Sequence, residues 1–395
     1  DRGLFGPPDV FQVFAEDKDD FLGGARSAGD FNQDGLDDIL CGAPLNDFGS
    51  ALENSGAVYI LYGRSILGDF DLKKADDPRL RAPMLRIRGE TREDQIGWRQ
   101  ATGLDVNGDR IDDVFISSPR ADFGNVTRST CAGDFNGDGQ IDSSDLDTSG
   151  FAECKANFGE EVFSDDRCKI FDYDNDGDIE DDDNAVFTCL VNGGDDCCDH
   201  LIDNGFVGII FGGVFTDGDR VLSQIATPDL PGVIFHGAST GDRAGYDVSS
   251  AGDFNQDGFG DILIAVPGET RIDRAGRERL GVVYLIFGGT HLHNTTWSLE
   301  RVGTDDLPGI VFLSPYLKGR PNEAAPLTVA FLGDINRDGF GDIAIGNPKA
   351  DFIDFSFPQG PAATDAELGR RRDAGDAYVV YGNNFGSNRG GGGGS

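Results

Sequence analysis

The sequence predicts a mainly-β repeat fold, and three observations carry that expectation. An acidic nine-residue phrase recurs four times. Each copy is followed by a short apolar strand, a small-residue turn ending in proline, and a second β-rich strand. Glycine is abundant, at 58 of 395 residues, with no collagen period, as expected of a chain with many tight turns.

The four phrases run from Asp30 to Asp38, Asp105 to Asp113, Asp253 to Asp261 and Asp334 to Asp342. The apolar strand and turn that follow read ILCGAP (39–44), VFISSP (114–119), ILIAVP (262–267) and IAIGNP (343–348). The closing strands are Ala57 to Tyr62, Phe206 to Phe211, Val282 to Phe287 and Ala377 to Tyr381. One more strand precedes each phrase: Val10 to Phe14, Met84 to Ile87, Val233 to Phe235 and Ile310 to Leu313. About four short strands per repeat, separated by Gly/Asp/Pro turns, predict a β-propeller of four-stranded blades packed face to face.

These repeats resemble FG-GAP repeats, the units of the integrin α-subunit propeller. Phe/Gly-rich first strands, the acidic nonapeptide and the literal Gly42-Ala43-Pro44 turn carry the resemblance, which covers 9–384 apart from one insertion. That family commonly closes a ring of seven blades, whereas this chain shows four repeats. The outer-type strand Val10 to Phe14 and the inner-type strand Ala377 to Tyr381 could complete one blade and close the ring. Part of a larger ring is the other reading.

Each nonapeptide offers oxygen at positions 1, 3, 5 and 9, with a backbone carbonyl at 7. Alternate residues of a tight loop point inward, and calcium takes six to eight oxygens in irregular geometry. The side-chain ligands are expected to be Asp30, Asn32, Asp34 and Asp38; Asp105, Asn107, Asp109 and Asp113; Asp253, Asn255, Asp257 and Asp261; and Asp334, Asn336, Asp338 and Asp342. Position 6 is glycine, which allows positive φ, in three loops; in the second it is Arg110, which makes that loop the weakest candidate site.

Residues 125–204 interrupt the second repeat and divide the chain into 9–124, the insertion, 205–384 and a Gly-rich tail, 385–395. Six of the seven cysteines (131, 154, 168, 189, 197, 198) lie in the insertion, which predicts a disulfide framework and an oxidising compartment; Cys41 stands apart. Two loops there have twelve-residue EF-hand spacing, with Asp134, Asn136, Asp138, Gln140 and Asp145, and Asp172, Asp174, Asp176, Asp178 and Asp183, as candidate ligands. Aspartate at position 12, with Ser143-Ser144-Asp145-Leu146, makes the insertion resemble a dockerin, a small partly helical module that binds another protein. Up to six Ca²⁺ are expected in all.

A formal charge of −37 argues against nucleic acid and anionic membranes as partners. No apolar run is long enough for a membrane-spanning helix, and no signal peptide is visible, though a start at Asp1 without Met fits a processed chain. Gly237 to Gly241 spells G-x-S-x-G, but between two strands rather than in a strand–turn–helix. His291 and His293 read as a surface pair. The expectation is a non-enzymatic, secreted or cell-surface adhesion or assembly protein that binds protein, glycan or copies of itself. The alternative is the substrate-binding domain of a secreted polysaccharide-acting enzyme.

Overall fold

The structure is a computed structural model and describes residues 12–49, 52–63, 70–74, 84–121, 203–213, 218–239, 241–314, 327–348 and 375–382. Both insertion loops with their candidate ligands, the six insertion cysteines and the Gly-rich tail lie outside the described residues.

Each acidic loop joins two antiparallel strands, and a third strand follows. In the first unit these are β2 (Gly23–Gly29), β3 (Asp38–Ala43) and β4 (Ala57–Leu61); in the second, β7 (Gln100–Leu104), β8 (Asp113–Ser118) and β9 (Phe206–Ile210). The third unit has β12 (Asp247–Gly252), β13 (Asp261–Ile272) and β14 (Glu278–Ile286), and the fourth β17 (Thr328–Gly333), β18 (Asp342–Asn347) and β19 (Asp376–Val380). The Val/Ile/Tyr content of the two later strands suits a surface buried on both sides.

The strand expected before each phrase exists but belongs to the sheet of the preceding unit. β6 (Met84–Arg88) pairs antiparallel with β4, from Ala57↔Arg88 to Leu61↔Met84. β11 (Gly232–His236) pairs likewise with β9, and β16 (Gly309–Leu313) with β14. The sequence reading had grouped these strands with the phrase that follows them.

A further strand was not foreseen. After three of the four third strands a short strap follows and pairs in parallel with an earlier outer strand: β10 (Gly218–Val221) on β6 and β15 (Thr295–Ser298) on β11, each in the preceding sheet, and β5 (Phe70–Asp71) on β1 (Val13–Phe14), which form a two-stranded pair of their own. Every strap runs into a 3₁₀ turn that opens on a buried leucine, Leu72, Leu222 or Leu299. The straps are too short and polar to show strand alternation, so only the leucine hints at them. The sheets therefore count five, five, four and three described strands rather than a uniform four.

The sheets stack through apolar faces. Leu40, Val58 and Ile60 of the first meet Val114, Ile116 and Ile210 of the second, and Phe115, Val207 and Phe235 on its other face meet Ile262, Ile264 and Tyr284 of the third. Leu263, Val283 and Leu285 then pack on Ile343 and Ile345 of the fourth. Each large side chain so buried contributes about 1.5–3 kcal/mol. The first strands β2, β7, β12 and β17 lie side by side in that order.

Register fixes one recurrent position opposite Cys41, Ile116, Ile264 and Ile345: Tyr59, Gly208, Tyr284 and Tyr378. Buried Tyr59 donates to Glu16 (2.8 Å) and buried Tyr284 to Glu269 (2.6 Å), which satisfies hydroxyls that would otherwise be costly to bury. Cys41 is buried and not in a disulfide, as its isolation in the sequence suggests.

The ends of the interrupting segment are close together. Gly205 N donates to Ala121 O (3.1 Å) where β8 and β9 pair as neighbours, so about 80 residues leave and return at one hairpin mouth.

Gly208 stands where the other sheets carry tyrosine because the Phe206 ring and Ile225 already fill the space. A Cβ there would lie 2.7 Å from Phe206 Cζ and 2.9 Å from Ile225 Cδ1. Gly208→Ala is expected to lower stability by about 1–3 kcal/mol, read as a lower urea midpoint at unchanged slope. An unchanged midpoint would show that this contact relaxes at no cost.

Candidate functional site

The four nonapeptides adopt one hydrogen-bonded form. The carboxylate at position 1 accepts the backbone N–H of position 6: Asp30 from Gly35 (3.0 Å), Asp105 from Arg110 (2.7 Å), Asp253 from Gly258 (3.0 Å) and Asp334 from Gly339 (2.9 Å). The Asn at position 3 accepts from position 5, as in Asp34 N to Asn32 Oδ1 (2.9 Å) and Asp338 N to Asn336 Oδ1 (2.9 Å), with Asn107 and Asn255 alike. Asp34, Asp109, Asp257 and Asp338 each accept from position 7. These are Asx-type bonds, which Asp and Asn make because their short side chains reach the backbone two residues on.

Position 6 has positive φ in every copy: Gly35 90°, Arg110 71°, Gly258 94° and Gly339 94°. Arg110 thus takes the same left-handed conformation as the glycines, and the second loop has the same backbone form as the rest. A non-glycine residue there costs on the order of 1 kcal/mol.

Position 9 behaves differently. Asp38, Asp113, Asp261 and Asp342 are all buried and latch the loop to the third strand. One oxygen accepts an N–H from just beyond that strand: Gly63 (2.7 Å), Gly212 (3.0 Å), Gly288 (2.9 Å) or Gly382 (3.0 Å). The other accepts an N–H within the loop, from Asn32 (3.2 Å), Val106 (2.8 Å), Phe254 (2.7 Å) or Ile335 (2.9 Å). Burial pushes the Asp113 carboxyl up to about 8 and Asp261 up to about 7, against the lowering effect of these bonds, with the neighbouring loop carboxylates adding to the rise. Asp38 shifts the same way for the same first reason.

The donor set is oxygen only, which suits a hard cation and no thiophilic metal. Asp30 Oδ1 is a buried oxygen without a hydrogen-bond partner, an acceptor a cation would satisfy. Among the described residues, however, no group of three Asp, Glu, His or Cys side chains converges as a metal cluster. His291 and His293 do not converge either: the His293 ring stacks on Phe211 at 5.7 Å, and His291 is half-buried. Ser239 sits in a turn where Asp242 accepts its N–H (2.7 Å), not at a strand–turn–helix.

A second site was invisible in linear sequence. A trough of about 450 Å³ runs across the first strands, lined by Arg26 of β2, Trp98, Arg99 and Gln100 around β7, Asp247 and Ser249 of β12, and Val329 of β17. Arg99 Nε lies 3.4 Å from Asp247 Oδ1, and its guanidinium lies 5.7 Å from the Trp98 ring centroid. Trp98 Nε1 donates to Tyr246 O (3.2 Å), fixing the indole. Counting back six residues from position 1 of each loop puts Gly24, Arg99, Asp247 and Thr328 at one level, the signal that would have found this cluster.

Comparison with known proteins adds a family likeness. The FG-GAP repeat family matches residues 23–61 and 244–286, the first and third units as the structure builds them. Two of its four units are thus similar to FG-GAP repeats. It is 29% identical over 140 residues to integrin alpha-PS2 of Drosophila melanogaster, 33% of this chain and 9% of that protein. It is 34% identical over 122 residues to integrin alpha-6 of Homo sapiens, 31% of this chain and 9% of that one. It is also 29% identical over 154 residues to phosphatidylinositol-glycan-specific phospholipase D of Dictyostelium discoideum, 39% of this chain and 14% of that enzyme. The chain thus spans a small part of relatives that include both integrin subunits and an enzyme.

If position 9 is a latch and position 5 a rim group, the two must respond differently to truncation. Asp261→Ala strands the buried Gly288 and Phe254 N–H groups and should cost about 2–5 kcal/mol in chelator, whereas Asp257→Ala should cost under about 1 kcal/mol. Equal losses in urea unfolding would contradict the latch.

Proposed function

We propose that this chain is a calcium-stabilised, extracellular or cell-surface scaffold of β-propeller type that works by binding another protein. The observation that carries the reading is the fourfold recurrence of one loop form, each copy packing two carboxylates and an Asn side chain at its rim above a buried third acid. Like charges so placed repel, and a divalent cation relieves the repulsion. Asp30, Asn32, Asp34 and Asp38, and their counterparts in the other three loops, would hold Ca²⁺. The ninth-position carboxylates would use lone pairs left over from their backbone bonds. The ion supplies fixed positive charge, not chemistry.

Integrin-like relatives support adhesion, and the segment 125–204, leaving at one hairpin mouth, suits an appended calcium-binding, disulfide-stapled docking module. Among the described residues no helix is long and apolar enough to cross a membrane.

Calcium titration with calorimetry and thermal unfolding tests this. Several sites should fill, and the melting temperature should rise in calcium and fall back with chelator, each site adding about 2.7 kcal/mol at 100-fold excess over its Kd. Magnesium should do less, since it demands tighter octahedral geometry. No heat and no shift in melting temperature would sink the calcium reading.

The trough favours a second reading, a domain that holds an acidic glycan for a secreted enzyme. Trp98 offers an aromatic wall, and Arg26 and Arg99 face one carboxylate between them, leaving net positive charge in an otherwise acidic chain. A uronic-acid oligosaccharide should bind the native chain, and Arg26→Ala, a change at an exposed residue, should weaken it about tenfold or more. Absence of binding, or binding indifferent to Arg26, would exclude this reading.

A further inference from the structure

The repeats allow the boundaries between sheets to be compared residue by residue. Beyond β1, β6 and β11 the chain turns back through a buried aspartate, Asp20, Asp94 or Asp242, whose carboxylate accepts backbone N–H from its own turn. Asp20 O accepts Leu45 N (3.3 Å) and Asp242 O accepts Gly268 N (3.1 Å), so these two aspartates meet the following sheet at the same place. The residue that comes next in that sheet, two after the turn proline, is Asn46 in one case and Glu269 in the other.

Against the first sheet the partners match as donor and acceptor. Asn46 Nδ2 donates to Asp20 Oδ2 (3.1 Å) and to the Tyr59 hydroxyl (3.3 Å). The third unit puts a second acid where that amide stands. Asp242 is 2% exposed and Glu269 7%. Glu269 accepts from the Tyr284 hydroxyl, 2.6 Å from each of its oxygens, and from Arg271 Nε (2.6 Å). As a carboxylate it has no proton to give to Asp242. In the second unit the same position is Ala121, and Asp94 takes the Thr91 hydroxyl instead, so no pair of acids arises there.

Two buried like charges disfavour each other, and the lower-energy arrangement leaves a proton on one of them. Asp242 is the one placed to keep it. Ala238 N and Ser239 N both bond its Oδ2 (2.8 and 2.7 Å), leaving Oδ1 for the proton. Burial pushes Asp242 up to about 7 and the Glu269 charge adds to the rise, while its backbone bonds and Arg271 oppose it. The other charged groups of this boundary are engaged nearby: Arg243 pairs with Asp203 (3.7 Å), and His236 Nδ1 meets the Gly237 carbonyl (2.8 Å).

We propose that Asp242 and Glu269 share one proton across the boundary between the second and third sheets, and that losing this proton loosens the boundary. A proton taken from water onto Asp242 Oδ1 makes that group a donor toward Glu269, doing from the turn what Asn46 does from the sheet. The contact ties the turn after β11, in the second sheet, to β13 in the third. Neither acid is a candidate calcium ligand or lies within two residues of one, so the inference goes beyond the scaffold reading and does not rest on it.

The folded chain keeps a proton that the unfolded chain releases, because an unfolded aspartate titrates near about 4. This stabilisation is full below that pH and is lost as the pH rises through the folded value of about 7. Urea unfolding at pH 6 and pH 8 in chelator, with the native chain beside Asp242→Asn and Glu269→Gln, tests it. Relative to Asp242→Asn, whose amide donates to Glu269 at either pH, the native folding equilibrium constant should fall about tenfold between the two. Taking the difference removes the titration of the other acids and of His236. Glu269→Gln places an amide opposite Asp242, as Asn46 does opposite Asp20. Whatever it loses at Tyr284 and Arg271, it should gain about threefold or more on the native chain from pH 6 to pH 8. A native chain that changes in parallel with Asp242→Asn shows that Asp242 does not titrate here. A Glu269→Gln chain that tracks the native one shows that Glu269 serves Tyr284 and Arg271 alone. Either result overturns the proposal.

Discussion

The buried aspartate at the ninth position of each acidic loop is the constraint on which the rest depends. Each of the four carboxylates accepts one N–H from its own loop and one from beyond the third strand of its sheet. That pair of bonds sets where the loop sits, where the third strand ends and how the chain turns toward the strap. A carboxylate buried with two amide donors is far costlier to disturb than an exposed turn, because removing it leaves two backbone groups without water or partner. The rim groups at positions 1, 3 and 5 then lie above a fixed floor, and that floor explains why loops as different as Asp30–Asp38 and Asp105–Asp113 take one shape.

The phrase and its two following strands were legible in sequence because their signal is local: alternating acids, one glycine and an apolar run. Sheet membership was not. Met84–Arg88 looks in sequence like the start of the second repeat, yet its apolar residues belong to the first sheet, and only cross-strand pairing reveals it. The straps were missed because two to four residues with one leucine carry no periodicity. Arg110 takes the glycine conformation for a backbone reason: five side-chain-to-backbone bonds and one between Asn107 and Asp109 hold the turn in a form with positive φ at position 6.

The candidate sites divide in the same way. Asp and Asn ligands in a nonapeptide are a linear pattern and could be named residue by residue. Arg26, Trp98 and Asp247 lie on three different units, and the charge they share exists only once the first strands stand side by side. A surface assembled from one or two residues per repeat leaves no motif, although aligning the copies on the loop would have placed Arg99 and Asp247 at one level.

The straps also bear on how the chain is made. Since β10 and β15 complete the sheets of the units before them, neither the first nor the second sheet can finish while its own unit is the last one synthesised. The first sheet waits for Gly218–Val221, which emerge only after the whole interrupting segment. A nascent chain therefore carries an open strand edge on β6 for well over a hundred residues of elongation, during which the acidic, cysteine-rich segment must emerge and be kept from that edge. Over the first three units closure runs in one direction, the second and third units each closing the sheet before them, and the segment most foreign to the repeats sits at the step where the first closure is delayed longest.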